Sequence, residues 1–181
     1  MKGIVFTEFL EMVEETFSMR IANKIVDESD LPSGGIYTSV GTYDVGEMIA
    51  LVAALSKETQ IPAPKLVRAF GHHLFGRFHE NFPQFFMDID NCFDFLSNVE
   101  DYIHIEVRKL YPDAALPQFD CEITPDHSSM TMIYRSPRCL SDLADGLIHG
   151  CIEHYNEPLT VSSEPLDPSG SVVRFVMTRH A

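Results

Sequence analysis

The sequence predicts an α+β fold, with a helical N-terminal half followed by a four-stranded antiparallel sheet and one more helix. Three observations support this prediction. Apolar residues recur at helical spacing up to Pro112, they alternate with polar residues after Pro117, and turn signals at PDHS and DPSG separate the alternating runs. The length of 181 residues is that of one domain, with room for two lobes.

Five helices are predicted before Pro112. They span about 2–18, 19–29, 43–58, 62–79 and 89–111, with a loop at LPSGG and a break or short turn at NFPQFF. Pro62 and Pro64 mark the start of the fourth helix, because proline is tolerated in a first helical turn. The first helix is interrupted by Glu8 and Glu11, so we expect an amphipathic helix and neither a signal peptide nor a membrane span.

Four strands are predicted after Pro117. They are FDCEIT, SSMTMIYRS, PLTVSS and SVVRFVMTR, and the helix CLSDLADGLIHGCIEHY lies between the second and the third. In the second run Tyr134, Ser136 and Arg138 occupy every second position, so in a strand their side chains leave the same face. Three hydrogen-bond donors in a row suit an anion, and an exposed strand face is the alternative.

Charge and cysteine content narrow the function classes. The chain has 13 basic and 27 acidic residues, a net charge of -14. Nucleic acid and anionic membranes bind clustered Lys and Arg, so neither is expected as a partner. The four cysteines include no C-x-x-C, so a zinc ribbon, a thioredoxin motif and covalent c-type haem are not predicted. Reduced thiols favour a cytoplasmic location.

His104 lies beside the apolar stripe of the helix predicted over 89–111. That stripe consists of Leu96, Val99, Ile103, Val107 and Leu110. On an ideal α-helix His104 lies about 80° from the stripe centre, close to the direction of Phe93 and Tyr111. Such a histidine can direct one nitrogen into an apolar cavity and the other to a polar group, as a proximal haem ligand does. A half-buried histidine with a backbone partner is the alternative.

Three segments, MKGIVFTEFLEMVEETF, YIHIEVRKLYPDAALPQF and YRSPR, together resemble the haem nitric-oxide/oxygen-binding (H-NOX) family, which includes the sensor domain of soluble guanylate cyclase. The resemblance covers essentially the whole chain. It implies the H-NOX fold as one domain over 1–181, with a helical lobe of about 1–62 and a haem-holding lobe of about 63–181. It implies a non-covalent haem b, with iron bound by His104, propionates held by Tyr134, Ser136 and Arg138, and a porphyrin bent by Pro117.

The resemblance also implies which gas is bound. O2-binding members place a tyrosine at the position of Leu143 and can place a supporting polar residue at that of Leu74, and the aromatic position on the first helix is Phe9. The rest of the distal wall, also without a donor, would be Ile4, Val5, Phe78 and Leu147. Bound O2 gains from a hydrogen-bond donor and NO does not need one, so we expect an NO sensor with CO as a weaker ligand. His73 is expected to point outward, about 100° from Leu74.

By the same resemblance, NO should release His104 and shift one lobe against the other. The chain ends soon after its last strand, so we expect no output domain and a separate partner, a histidine kinase or a cyclic-di-GMP enzyme. An enzyme is not predicted, because G-x-S-x-G, P-loop and H-E-x-x-H motifs are absent from the sequence. An O2-binding haem protein and a haem-free interaction module are the alternatives.

A zinc site is a further alternative, built from Cys139, His149, Cys151 and His154. On a helix His149 and Cys151 point about 200° apart, so they are not expected to share an ion. Cys151 also belongs to the apolar stripe of its helix and is expected in the core.

Overall fold

The computed structural model describes residues 1–180, and these form two compact units. One unit is Met1–Phe70, and the other is the chain from Gly71 onward. The predicted α+β class is confirmed. Within the described part of the chain, every helix is too short or too polar to cross a membrane.

The N-terminal unit is helical. It contains α1 (Gly3–Thr16), α2 (Met19–Asp27), α3 (Val45–Thr59) and the first part of α4 (Ala63–Asn81), with bounds close to the predicted ones. The packing runs from α1 to α2 and from α2 to α3. The side chains of Ser18 and Asp44 cap α2 and α3 by accepting from backbone N–H groups in the first turn.

The first turn of α1 is held by the loop that precedes α3. The backbone N–H of Gly3 donates to the carbonyl of Gly41 at 2.8 Å, and that of Ile4 donates to the carbonyl of Ser39 at 3.0 Å. These bonds satisfy donors that a helix start leaves without intrahelical partners. A Cβ at Gly3 would overlap the carbonyl oxygen of Thr38, so this close approach requires glycine.

The C-terminal unit contains the sheet and the remaining helices. After α4 it has a 3-10 turn (Pro83–Phe85), α5 (Cys92–Asn98), α6 (His104–Leu110) and α7 (Ser141–Tyr155). The strands are β1 (Gln118–Ile123), β2 (Ser129–Arg135), β3 (Leu159–Pro165) and β4 (Val172–Arg179). They form one antiparallel sheet in the order β1-β2-β4-β3, so the predicted four-stranded antiparallel sheet is confirmed.

One face of the sheet carries the core of this unit. Alternate residues of the two central strands are buried on it, and α5 and α7 supply the other half of the core. The strand residues are Met130, Met132, Tyr134, Val173, Phe175 and Met177. Cys92 of α5 and Cys151 of α7 are both 0% exposed, so the expectation that Cys151 is a core residue is confirmed.

The helix predicted over about 89–111 is helical from Cys92 to Leu110, but it is not α-helical throughout. A π-helical segment (Val99–Ile103) separates α5 from α6, and the N–H of His104 donates to the carbonyl of Val99. A π turn holds one extra residue, so later residues are turned back by roughly 100° relative to a continuous α-helix. His104 therefore takes the buried position predicted for Ile103 and is 7% exposed, whereas Leu110, predicted on the apolar stripe, is 54% exposed.

Candidate functional site

His104 is the first residue of α6, and its imidazole is buried. Its Nδ1 lies 3.0 Å from Oε2 of Glu100. An ionised carboxylate only accepts hydrogen bonds, so Nδ1 carries the proton and the lone pair lies on Nε2. Burial lowers the pKa of His104, although the hydrogen bond and the charge of Glu100 act in the opposite direction. A neutral imidazole with its lone pair on Nε2 is a form that binds metal ions.

Phe119 of β1 connects His104 to the central strands. Its ring centroid lies 5.8 Å from that of His104 and 5.8 Å from that of Tyr134. The β1–β2 register pairs Phe119 directly with Tyr134. Helical spacing predicted aromatic neighbours of His104 only on its own helix. It could not predict Phe119, because a contact with a strand does not follow from helical spacing.

The prediction that Tyr134, Ser136 and Arg138 share one strand face is wrong. Strand β2 ends at Arg135, and only Tyr134 lies within it. Pro137 explains the early end, because proline has no N–H to donate to a strand ladder. The chain turns there, and the Ser136 hydroxyl accepts from the backbone N–H of Arg138 at 3.2 Å.

The turn still presents hydrogen-bond donors suited to an anion. Tyr134 and Ser136 are buried, and the Tyr134 hydroxyl accepts from the N–H of Leu140 at 2.9 Å. Burial raises the pKa of Tyr134, so the phenol keeps a proton that it can donate. Nη1 of Arg138 donates to the carbonyl of Ala115 at 2.6 Å, in the segment that leads to β1. Two hydroxyls and a guanidinium are the groups that bind a carboxylate well.

Pro117 is half-buried and lies immediately before β1. It stands between Ala115, which contacts Arg138, and Phe119, which contacts His104. The structure thus brings the segment of Pro117 next to both the histidine and the donor turn. Contact of Pro117 with a porphyrin stays a prediction.

The predicted distal residues of the C-terminal unit lie on α4 and α7, whose backbones approach closely at Gly71. A Cβ at Gly71 would overlap the carbonyl oxygen of Leu143 and lie 2.9 Å from the nitrogen of Leu147. Leu74, one turn further along α4, is 2% exposed, and Phe78 is half-buried like Leu143 and Leu147. None of these four side chains has a hydrogen-bond donor. Their role as a distal wall stays a prediction.

The predicted distal residues of the N-terminal unit lie on α1. Ile4 and Val5 are half-buried in its first turns, and Phe9 is 0% exposed. Within the same unit the Phe9 ring packs edge-on against Phe70, with centroids 5.2 Å apart. Their assignment to a gas-binding wall stays a prediction.

The expectation that His73 points outward is wrong. His73 is half-buried, and its Nε2 is buried without a hydrogen-bond partner among residues 1–180. His73 points about 100° from Leu74, which places it at the side of the helix and not on the face opposite Leu74. A side chain in that position is also buried where the helix packs on more than one side. The chain therefore has a buried N–H or lone pair next to Leu74.

The side chains that could ligate a metal ion are dispersed over the described part of the chain. Among residues 1–180, no three or more His, Cys, Asp or Glu side chains are placed to hold a metal ion. The residues of the zinc alternative are separately engaged, with Cys151 in the core and His154 against His79 at a centroid distance of 4.3 Å.

This arrangement, a buried neutral histidine joined through Phe119 to a turn of carboxylate-binding donors, defines a candidate site for a non-covalent prosthetic group with acidic substituents. A haem-NO-binding (HNOB) family model matches residues 2–163. The chain belongs to the H-NOX family of haem-binding gas-sensor domains. Members of this family are sensor domains that bind gases such as NO and CO and signal to partner proteins.

Solved H-NOX structures agree with this assignment. The unliganded Fe(II) H-NOX protein from K. algicida matches with a TM-score of 0.93 and 36% identity, covering 100% of this chain and 97% of that chain. The Fe(II)NO H-NOX protein from S. oneidensis matches with a TM-score of 0.91 and 25% identity, covering 100% of both chains. The IWP-051-bound Fe(II)CO H-NOX from Shewanella woodyi matches with a TM-score of 0.84 and 39% identity, covering 99% of this chain and 95% of that chain. No curated protein matches.

The residues present fit a haem. A haem needs a nitrogen ligand for iron, donors for two propionates and apolar side chains around its ring. Nε2 of His104 is available because Nδ1 is engaged by Glu100. Tyr134, Ser136 and Arg138 could supply the donors, and Phe119 places an apolar ring between His104 and Tyr134.

Proposed function

We propose that the chain is an NO sensor, which binds NO at the iron of a non-covalent haem b and signals by releasing His104. The observation that carries the proposal is the hydrogen bond from Nδ1 of His104 to Glu100, which leaves Nε2 for iron. Bound ferrous haem supplies the iron that takes up the gas. Tyr134, Ser136 and Arg138 would hold the propionates, and Pro117 would contact the porphyrin.

The choice of NO over O2 rests on the leucines. Leu143 stands where O2-binding members of the family have a tyrosine, and Leu74 stands where a polar side chain can support it. Neither leucine can donate a hydrogen bond to bound O2, whereas NO binds ferrous iron without one. CO is proposed as a weaker ligand.

The signal starts at the junction of the π-helical segment with α6, because His104 is the residue at that junction. While Nε2 is bound to iron, the imidazole fixes this junction, and its release frees the segment to repack. We propose that a separate cytoplasmic partner, a histidine kinase or a cyclic-di-GMP enzyme, reads this change. The net charge of -14 supports neither nucleic acid nor an anionic membrane as partner.

An anaerobic NO titration of the ferrous, haem-reconstituted protein tests the proposal. The wild type should show a Soret band, and its NO complex should match the NO complex of His104→Gly after free imidazole has been removed, since neither then keeps an imidazole ligand on iron. His127→Gly, at an exposed turn position, is the matched control and should behave like the wild type. A wild type that retains no haem through gel filtration overturns the proposal. A spectrum of the NO complex in which His104 is still bound to iron also overturns it.

O2 binding is the second candidate function, and the Nε2 of His73, buried without a hydrogen-bond partner among residues 1–180, favours it. A histidine N–H beside Leu74 would supply the donor that the leucines lack. Reduced protein exposed to air separates the two candidates. A stable oxy complex that is lost in His73→Leu would support O2 binding, and rapid oxidation without such a complex would support the NO sensor.

A further inference from the structure

Glu100 contacts Nδ1 of His104, the ring nitrogen that is not the one proposed to bind iron. Its Oε2 lies 3.0 Å from Nδ1 of His104 and also accepts the backbone N–H of Phe119 at 3.3 Å. Its Oε1 lies 3.8 Å from Nη2 of Arg108. The carboxylate is therefore fixed by three elements: the π-helical segment that carries it, α6 and β1.

We propose that Glu100 is a positioning residue. It orients His104, the proposed iron ligand, and sets the strength of the bond between His104 and iron. This inference rests on the proposed function, because it presupposes that His104 binds haem. A carboxylate partner gives the imidazole partial negative charge and makes Nε2 a stronger donor to a metal ion. Glu100 thus opposes the release of His104 and sets how readily a gas can cause it.

The contact with Phe119 gives Glu100 a second effect. Phe119 is the second residue of β1, and its ring contacts both His104 and Tyr134. Since Glu100 Oε2 accepts from both His104 and Phe119, the histidine side chain is hydrogen-bonded to β1 through one carboxylate oxygen. A released His104 stays tied to β1 through Glu100, so its movement is passed to the sheet as well as to its own helix.

Glu100→Gln tests the inference, because the amide keeps the size of the side chain and removes the charge. In the ferrous, haem-reconstituted protein we expect the iron–histidine stretching frequency, measured by resonance Raman spectroscopy, to fall. We expect the reduction potential to rise, since a weaker donor stabilises ferric iron less. Glu106→Gln is the matched control, with the same change of charge on α6, where Glu106 pairs with exposed Lys109. It should leave both quantities unchanged.

A measurement on the haem-free protein gives an independent readout. Nitrogen-15 NMR of the His104 ring should show the proton on Nδ1 in the wild type and in Glu106→Gln, and a mixed tautomer in Glu100→Gln. A wild type that binds no haem overturns the proposed function and this inference together. If haem-loaded Glu100→Gln keeps the wild-type stretching frequency and reduction potential, the inference alone is overturned. The same holds if the His104 tautomer of the apoprotein is unchanged in Glu100→Gln.

Discussion

The Tyr134 hydroxyl can both accept and donate a hydrogen bond. It accepts from the Leu140 N–H at the start of α7 and keeps its own proton to donate. One atom therefore supports the turn and serves the proposed propionate site. Sequence spacing identified the residue but could not show the first of these roles, because the bond to Leu140 depends on the turn at Pro137.

Tyr134→Phe should destabilise the protein by about 1–2 kcal/mol, because it leaves the Leu140 N–H without its partner. It should also weaken haem retention by removing a donor. Urea denaturation and the rate of haem transfer to a scavenger protein measure the two effects.

The matched control for this variant is Tyr155→Phe. The Tyr155 hydroxyl is buried without a hydrogen-bond partner among residues 1–180, so its removal should cost little or stabilise. Equal losses of stability in the two variants would contradict the role assigned to the bond with Leu140.

Among the elements, the crossing of α4 and α7 depends on the absence of a side chain at Gly71. A Cβ there would overlap the Leu143 carbonyl oxygen, so Gly71→Ala forces the helices apart. We expect a loss of about 1–3 kcal/mol in the free energy of unfolding, as for other overpacked sites. Thermal and urea denaturation measure it.

Gly76→Ala on the same helix is the control for this prediction. A Cβ at Gly76 meets no atom within 4 Å, so the substitution should stabilise by about 0.5–1 kcal/mol through helix propensity. A stabilising Gly71→Ala would show that the backbones are not in close contact.

Apolar periodicity was sufficient to predict most elements, and it failed at two identifiable places. The π-helical segment has no composition signature, because the apolar stripe continues through it in the sequence. Its extra residue nevertheless turns His104 inward and Leu110 outward. The early end of β2 was predictable from Pro137, whose lack of an N–H is visible in the sequence.

For the whole molecule, the pair of His79 and His154 makes stability depend on pH. Burial lowers the pKa of His154 below the ordinary histidine value of 6.5, and the charge of His79 lowers it further. A lowered pKa in the folded state means that the neutral form is favoured. The stability that neutral His154 contributes is present above pH 6.5, the pKa in the unfolded state, and is lost as the pH falls below that value.

His154→Gln should therefore reduce the loss of stability between pH 7 and pH 5, as measured by urea denaturation at several pH values. The effect should be small, because His154 is largely exposed and water screens its charge. His127→Gln, in the exposed turn between β1 and β2, is the control and should leave the pH dependence unchanged. A larger loss in His154→Gln than in the wild type would contradict the sign of this assignment.

The position of Phe119 between His104 and Tyr134 has a practical consequence. The chain contains no Trp, so an indole introduced at this half-buried ring would be its single tryptophan fluorophore. Its emission would be quenched by energy transfer to a nearby porphyrin. Uptake and departure of the pigment could then be followed in real time, at protein concentrations too low for absorbance.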